Sequence, residues 1–378
     1  MIKVVHFIHG LNMGGAETLV KNYALLLDRA RFQVTVLCYE HCGSPYEDVL
    51  RQNNIDVIYV CDKMPLYHKQ GLVAKGINHY QRYWLIRREL RKLNPDIVHF
   101  HLSLGEYVKF AALKKSVKLF YTQHFDVTDW EENMPKNVEA IKWLMEHYAV
   151  HLIALNDEMR SSMNGMFKTN TVKVLNNGVN LSAFDHNIDC KKKRAQMNLP
   201  QDAFVVTHVG RFDPVKNHTY LIDVFKQIKE RRPEALLLMV GRGETEMQVE
   251  EKIKAEGLDD SYKILHDRTD VAEILQASDA AVFPSFSEGL PLALIEMQAA
   301  GLPCVASNSV SGDACISNKL QFLNLEQGAE VWADELLKLC EDTTPIQYSG
   351  IEEWDIRHNV KQLEKMYEEA MKENAGQE

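Results

Sequence analysis

The stretch Phe283–Ser307, FPSFSEGLPLALIEMQAAGLPCVAS, decides how the rest of the chain is read. Ala280–Pro284 is a short apolar run closed by a proline, as expected of a buried strand. Ser287-Glu288-Gly289 turns the chain toward a helix. Pro291 falls where a first-turn proline is tolerated, because its missing N–H has no intrahelical partner there. The helix expected through Leu292, Leu294, Ile295 and Met297 ends at Gly301, a residue suited to the left-handed closing position. Pro303 prevents continuation, and Cys304-Val305-Ala306 opens another strand. Two carboxylates bracket the helix, Glu288 before it and Glu296 about two turns on, on the order of 10 Å along the axis. The N–H groups near Gly289 and Leu290 lack intrahelical acceptors and would attract a phosphate. Either Glu alone reads as a cap or a solvated side chain; the string as a whole is the signal.

That string resembles the E-x7-E signature of family 4 of the retaining glycosyltransferases. Pro284-Ser285-Phe286-Ser287-Glu288-Gly289-Leu290-Pro291 matches the family's P-S-x-x-E-G-x-P opening, and Gly301-Leu302-Pro303-Cys304-Val305-Ala306-Ser307 its G-x-P-x-V-A-[ST] close. The resemblance implies the α/β GT-B fold: two Rossmann-like parallel-sheet domains facing across a cleft, with a C-terminal helix crossing back to the first. The expected parts are residues 1–182, 183–353 and 354–378.

The 378 residues suffice for two domains of ordinary size. No apolar run approaches the ~20 residues needed to span a bilayer. The N-terminus enters a strand pattern at once, which reads as a chain without a signal peptide. Seven cysteines, without C-x-x-C pairing or zinc-ligand spacing, read as reduced thiols of a cytoplasmic protein. The net charge of −10 argues against nucleic acid as a partner. Charge is uneven: residues 1–180 carry 22 Lys+Arg against 18 Asp+Glu, and the remainder 21 against 35. The basic half fits an anionic partner such as a phospholipid surface or a lipid diphosphate, and equally fits ordinary solvated faces. Arg87, Arg88, Arg91 and Lys92 lie among Trp84, Leu85, Ile86 and Leu90 on an expected helix, Gly76–Leu93. A basic amphipathic helix can rest on a membrane, placing the protein at the inner face of the cytoplasmic membrane; an exposed helix face of a Rossmann-like domain reads the same way.

Strands and helices alternate along the chain. Strands are expected at 2–9, 32–39, 56–60, 96–102, 117–123, 150–155 and 172–175, and again at 204–210, 235–240 and 262–266. Such alternation argues parallel sheets covered on both faces, with functional residues just past strand C-termini. Gly14-Gly15, His101 and His124 occupy such places. The loop GLNMGGAE, 10–17, joins a strand to a helix, but lacks the dinucleotide G-x-G-x-x-G spacing and a Walker lysine. It resembles the family's N-terminal loop. Asn176–Phe184, NNGVNLSAF, resembles the family's segment ending the first domain. The lysine-rich 185–198 reads as a linker and the start of the second domain. Asn217 is placed to cap a helix at 219–231.

Gly210–His218, GRFDPVKNH, resembles the family's G-R-[LF]-x-x-x-K-[NG] motif. Breaking a sugar–phosphate bond leaves negative charge on a phosphate, and fixed cations aimed there favour the transition state. The resemblance gives that task to Arg211 and Lys216, assigns Glu288 to donor-sugar hydroxyls and Glu296 to the ribose, and brings Gly289 and Leu290 to the phosphates. It implies that Gly210 and Gly15 border the donor, that Val271 helps position the base, and that His124 faces the sugar. Gly14, Gly15, Glu17, His101 and His124 form the implied acceptor side, with Asp126 and Asp129 the nearest carboxylates. No two aspartates are separated by exactly one residue, so the D-x-D metal motif of the other glycosyltransferase fold is missing. Catalysis without metal or cofactor is expected. Asn308–Ser317 departs from the family's G-G-x-x-E run.

The leading expectation is a retaining hexosyltransferase using a nucleotide sugar, expected to be a UDP-sugar, and a glycan or lipid-linked saccharide acceptor in capsule or exopolysaccharide synthesis. The alternatives are a non-catalytic nucleotide-sugar-binding partner subunit, an epimerase, which would release free epimer from donor alone, and a phosphorylase, which would need inorganic phosphate.

Overall fold

The structure is a computed structural model, and it describes residues 1–67, 69, 71–124, 134–185, 188–288 and 291–373. The chain divides into two compact units, Met1–Asn177 with Ile356–Glu378, and Gly178–Asp355.

The first unit is built on a seven-stranded sheet: β1 (Ile2–Ile8), β2 (Phe32–Cys38), β3 (Asp56–Tyr59), β4 (Ile97–His101), β5 (Lys118–Thr122), β6 (Val150–Ala154) and β7 (Lys173–Val174). The strand order is β3-β2-β1-β4-β5-β6-β7, every pairing parallel. Its helices are α1 (Gly15–Leu26), α2 (Pro45–Gln52), α3 (Leu72–Leu93), α4 (Gly105–Ala111), α5 (Pro135–His147) and α6 (Asp157–Phe167). β4 and β5 are buried along their whole length, as befits a parallel sheet shielded on both faces.

The second unit repeats the plan with β8 (Phe204–Val209), β9 (Ala235–Val240), β10 (Tyr262–Leu265), β11 (Ala280–Phe283), β12 (Cys304–Ser307) and β13 (Leu320–Leu323), ordered β10-β9-β8-β11-β12-β13. Its helices are α7 (Cys190–Gln196), α8 (His218–Arg231), α9 (Glu246–Ala255), α10 (Val271–Gln276), α11 (Leu292–Ala299) and α12 (Ala329–Glu341). In each sheet the first strand has the second on one side and the fourth on the other. The crevice outside the carboxyl ends at such a switch point is where doubly wound sheets bind ligands. Those places lie after β1 and β4 in one unit, and after β8 and β11 in the other.

The last helix, α13 (Ile356–Lys372), belongs to the first unit. Ile356, Val360, Leu363, Tyr367 and Ala370 form one helical stripe and are buried in the same cluster as Phe32 and Phe120. Arg31 ties the helix further through Glu364 and Glu368.

Four expectations change. The lysine-rich 185–198 is not mere linker, because α7 lies within it. Its Asp189 side chain caps Lys192 N–H, while buried Lys193 reaches Asp270 and Glu273. Asn217 takes the position before α8, but with φ 53° its side chain does not cap; its amide donates to Pro284 O at 3.2 Å instead. Pro291 is the N-cap of α11 rather than its first residue, and its carbonyl accepts from Leu294 and Ile295. Finally α4, β13 and α12 had no counterpart in the expected elements.

Candidate active site

The second unit brings the motif residues together. After β8 the chain runs through Gly210, Arg211, Phe212 and Asp213 into a 3-10 turn, Pro214–Lys216. Asp213 Oδ1 accepts from the N–H groups of Val215 at 3.0 Å and Lys216 at 3.3 Å, which sets the turn. The loop after β11 is stitched to it: Phe286 N–H donates to Val215 O at 2.9 Å, beside the Asn217–Pro284 bond. Held this way, Lys216 Nζ donates to Glu288 Oε1 at 2.6 Å, with side chains only 17% and 11% exposed. Arg211 contrasts with it. Its guanidinium touches Asp213 at 3.1 Å yet is 69% exposed, so it is anchored at one edge and open on the others.

Glycines explain how two loops approach so closely. A Cβ on Gly241, whose φ is +155°, would sit 1.9 Å from Gly210 O, and one on Gly243 would sit 2.2 Å from Phe212 O. A Cβ on Gly210 itself would press the Lys216 stem at 3.3 Å. Backbone bonds fill the space: Gly210 N–H to Val240 O at 3.0 Å and Phe212 N–H to Arg242 O at 3.1 Å.

Three further residues surround the pair. His208 Nδ1–H donates to Val282 O at 2.9 Å, leaving Nε2 without a partner among the described residues. His218 stacks on Phe212 at 4.3 Å, and among the described residues neither of its ring nitrogens nor Ser285 Oγ has a partner. Burial, aided by the Lys216 charge, pushes His218 down to about 4; burial and His218 hold His208 well below the ordinary value. Both stay neutral at pH 7, so neither adds positive charge beside Lys216.

Val271 opens α10 and is packed into apolar clusters rather than exposed. Asp270, just before it, holds Arg268 and Lys193. Burial raises its pKa, but those two cations outweigh burial and bring it to about 2. Glu296 lies in the middle of α11. Gly289 and Leu290 lie outside the described residues. The atypical segment 308–317 is pinned to α11 by buried Gln298. That amide donates to Ala314 O at 2.7 Å and accepts from the N–H groups of Ile316 at 3.0 Å and Ser317 at 3.1 Å.

In the first unit Gly14 is the N-cap of α1 and offers no side chain to its N–H groups. A Cβ at Gly15 would meet nothing within 4 Å. The Glu17 carboxylate curls back so far that a Cβ on Gly14 would lie 2.4 Å from its Oε2. His101 and His124 do come together, Nδ1 to Nε2 at 3.0 Å. His101 is fully buried, with His6 Nδ1 3.2 Å from its other nitrogen, so it reaches a ligand only through half-buried His124. Leu102, next in chain, adopts φ 59°, a strained value for a bulky residue, and Asn217 does likewise after Lys216. Asp126 and Asp129 lie outside the described residues. His6, His99 and His101 converge closely enough for an ion, but both nitrogens of His99 are taken by the Tyr367 and Thr122 hydroxyls. The arrangement is a hydrogen-bond network rather than a metal cage. Sequence reading missed His6 and His99, although the i, i+2 spacing of His99 and His101 put them on one face of a strand.

On α3 the basic residues divide. Arg91 donates to Ala111 O at 3.0 Å and Ala112 O at 2.7 Å, closing the end of α4. Arg87 donates to Phe110 O at 2.9 Å, and Arg88 pairs with buried Glu89. The exposed side of α3 carries an apolar stripe, Val73, Ile77, Tyr80 (71% exposed) and Trp84 (62%), next to Phe110 of α4 and alongside exposed Lys75, His79 and Arg88. Among the described residues no helix is long and apolar enough to cross a membrane.

Two family profiles cover the chain nearly end to end, "Glycosyltransferase Family 4" over residues 13–183 and "Glycosyl transferases group 1" over residues 189–352. The chain is 30% identical over 330 residues to the UDP-Gal:alpha-D-GlcNAc-diphosphoundecaprenol alpha-1,3-galactosyltransferase of Escherichia coli, spanning 83% of this chain and 81% of that one. It is 23% identical to the capsular polysaccharide biosynthesis glycosyltransferase CapH of Staphylococcus aureus, over 97% of this chain and 99% of that one. The crystal structure of Anabaena Alr3699/HepE in complex with UDP-glucose matches with a TM-score of 0.71 at 19% identity, covering 99% and 98% of the two chains. At that identity the likeness concerns the fold.

Proposed function

Since the chain belongs to the glycosyltransferases of GT-B fold, we propose that it is a retaining enzyme moving a hexose from a UDP-sugar to a lipid-linked saccharide during polysaccharide synthesis. The observation that carries the reading is the Lys216–Glu288 pair at the switch point of the second sheet. The names of the relatives support the donor and acceptor classes, and the 30% identical one acts from UDP-Gal on a diphosphoundecaprenol-linked sugar.

In this reading Lys216 and Arg211 take the charge that grows on the departing diphosphate. Lys216 is a fixed point charge; Arg211 is an open fork able to close on phosphate oxygens. They supply what a divalent ion would, so the reaction is metal-independent. Glu288 accepts hydrogen bonds from donor-sugar hydroxyls, and Glu296 from the ribose. Val271 supports the base pocket from beneath. Gly14 and Gly15 leave room beside the N-terminus of α1, and His124 meets the sugar. Neutral His208 and His218 leave the task of meeting the diphosphate charge to Lys216 and Arg211.

The apolar stripe of α3 also supports peripheral attachment to an anionic membrane, where a lipid-linked acceptor resides. Val73, Ile77, Tyr80 and Trp84 would enter the interface, with Arg87 and Arg88 at the headgroups.

The test is a thermal-shift screen of UDP, GDP and ADP, then product analysis with UDP-galactose and a diphospholipid-linked sugar in EDTA. A ligand at 100 times its Kd stabilises by about 2.7 kcal/mol, and UDP is expected to be that ligand. The expected product keeps the donor's anomeric configuration. An inverted product, or activity lost in EDTA and restored by Mg²⁺ or Mn²⁺, would contradict the reading.

A further inference from the structure

His6 and His99 are register partners on β1 and β4, and His101 follows two residues on, on the same face of the sheet. The sheet lines up three rings: His6 Nδ1 is 3.2 Å from His101 Nε2, and His101 Nδ1 is 3.0 Å from His124 Nε2. His99 stands beside the line, stacked 4.3 Å from His101, and keeps its place by its bonds to Tyr367 at 2.6 Å and Thr122 at 2.7 Å.

A neutral imidazole has one N–H and one lone pair. His101 therefore donates to one neighbour and accepts from the other. If its proton is on Nδ1, His124 Nε2 is bare and its proton sits on Nδ1, while His6 must also carry Nδ1–H. If the proton is on Nε2, all three rings reverse. The rings thus share one tautomeric state. Burial lowers His6 and His124 to about 3 and His101 well below the ordinary value, so none of the three breaks the pattern by charging at pH 7.

The far end of the line selects the state. His6 Nε2 is buried without a partner among the described residues. In one state that atom is an orphaned N–H; in the other it is a bare lone pair. Orphaned buried N–H groups are the rarer defect in proteins. We propose that His6 and His101 are positioning residues that hold His124 in its Nδ1–H tautomer, so that it meets the sugar as a hydrogen-bond donor. The last clause rests on the assignment of His124 to the sugar; the tautomer lock does not. Free histidine favours Nε2–H in water, so the locked form is a departure from the default.

The experiment is ¹⁵N-histidine labelling of the whole chain, with long-range ¹H–¹⁵N correlation at pH 7 and His124→Gln to assign the signal. A single Nδ1–H tautomer is expected at His6, His101 and His124. Nε2–H, an averaged pattern or an imidazolium at His124 would overturn the proposal, and the tautomer itself is read in the unmodified protein. In His6→Asn, whose amide offers either a donor or an acceptor, the His124 signal is expected to become a tautomer mixture. Turnover of UDP-galactose is expected to fall roughly 10-fold at unchanged KM, the worth of about one hydrogen bond. An unchanged His124 tautomer in that variant would overturn the coupling. A mixed tautomer with full turnover would uphold the lock and overturn the role of His124 at the sugar.

Discussion

Lys216 and Glu288 meet across the switch point of the second sheet, Nζ to Oε1 at 2.6 Å, although 72 residues separate them in the chain. Neither acts alone. The carboxylate pairs with the ammonium, and in the proposed function it would also oppose an incoming diphosphate. The two roles proposed for them, cation for the phosphates and acceptor for the sugar, would then be coupled through this one contact.

Glu288→Gln keeps the size and hydrogen-bonding reach of the side chain but removes its charge. UDP binding should be equal to wild type or tighter, because Lys216 is released from a competing carboxylate. Turnover should fall on the order of 10²-fold if Glu288 is a preorganised electrostatic group. Calorimetry with UDP and steady-state rates measure the two effects; full turnover would remove Glu288 from the site.

Gly241→Ala tests the loop packing that carries Lys216. The new methyl would collide with Gly210 O, at 1.9 Å, in a backbone conformation of φ +155°. Destabilisation on the order of 2–4 kcal/mol is expected from strain at a special backbone position. Gly257→Ala, at φ +66° but with open space around it, should cost less. Equal midpoints in urea for the two variants would show that the loops do not depend on this approach.

The motif strings in this second unit were legible because their residues are local: turn, helix and strand follow from Pro291, Gly301 and Pro303 within one short stretch. The contacts that give the site its shape are not local. Nothing near Lys193 announces Asp270 or Glu273, and a lysine-rich run reads as solvated chain until its partners appear. α4 has only seven residues and begins with glycine, and β13 is four residues long, so each carries only about two periods of its pattern. α12 is different. Trp332, Ala333 and Leu336 stand at helical spacing and were readable.

The membrane prediction follows from α3. Vesicles rich in phosphatidylglycerol should bind the protein, and salt should weaken that binding. Tyr80→Ser with Trp84→Ser should abolish it. Arg91→Ser should chiefly lower stability, since Arg91 closes α4 through two carbonyls. Flotation assays that find Tyr80 and Trp84 dispensable would refute the apolar stripe as the contact.

Acid should unfold this protein early. His218 is held near about 4, and His6 and His124 near about 3, against an ordinary 6.5. Above pH 6.5 these groups are neutral folded or unfolded and do not affect the balance. Below it the unfolded chain binds protons that the folded chain refuses, so stability falls by about 1.4 kcal/mol per pH unit for each group until its folded pKa is reached. His218→Phe should keep the stack on Phe212, remove two unpartnered nitrogens, raise stability by about 1 kcal/mol and make the acid slope shallower. Urea melts at pH 7.5, 6 and 5 measure both; a flat profile would show that the rings are not buried neutral.

The most direct test is calorimetric titration of UDP into wild type and Lys216→Ala. If Lys216 is the fixed cation of the diphosphate site, its loss should weaken UDP binding by roughly 1.5–3 kcal/mol, the worth of a hydrogen bond to a charged group. Equal affinity for UDP in the two proteins, with the variant shown to be folded, would contradict the account.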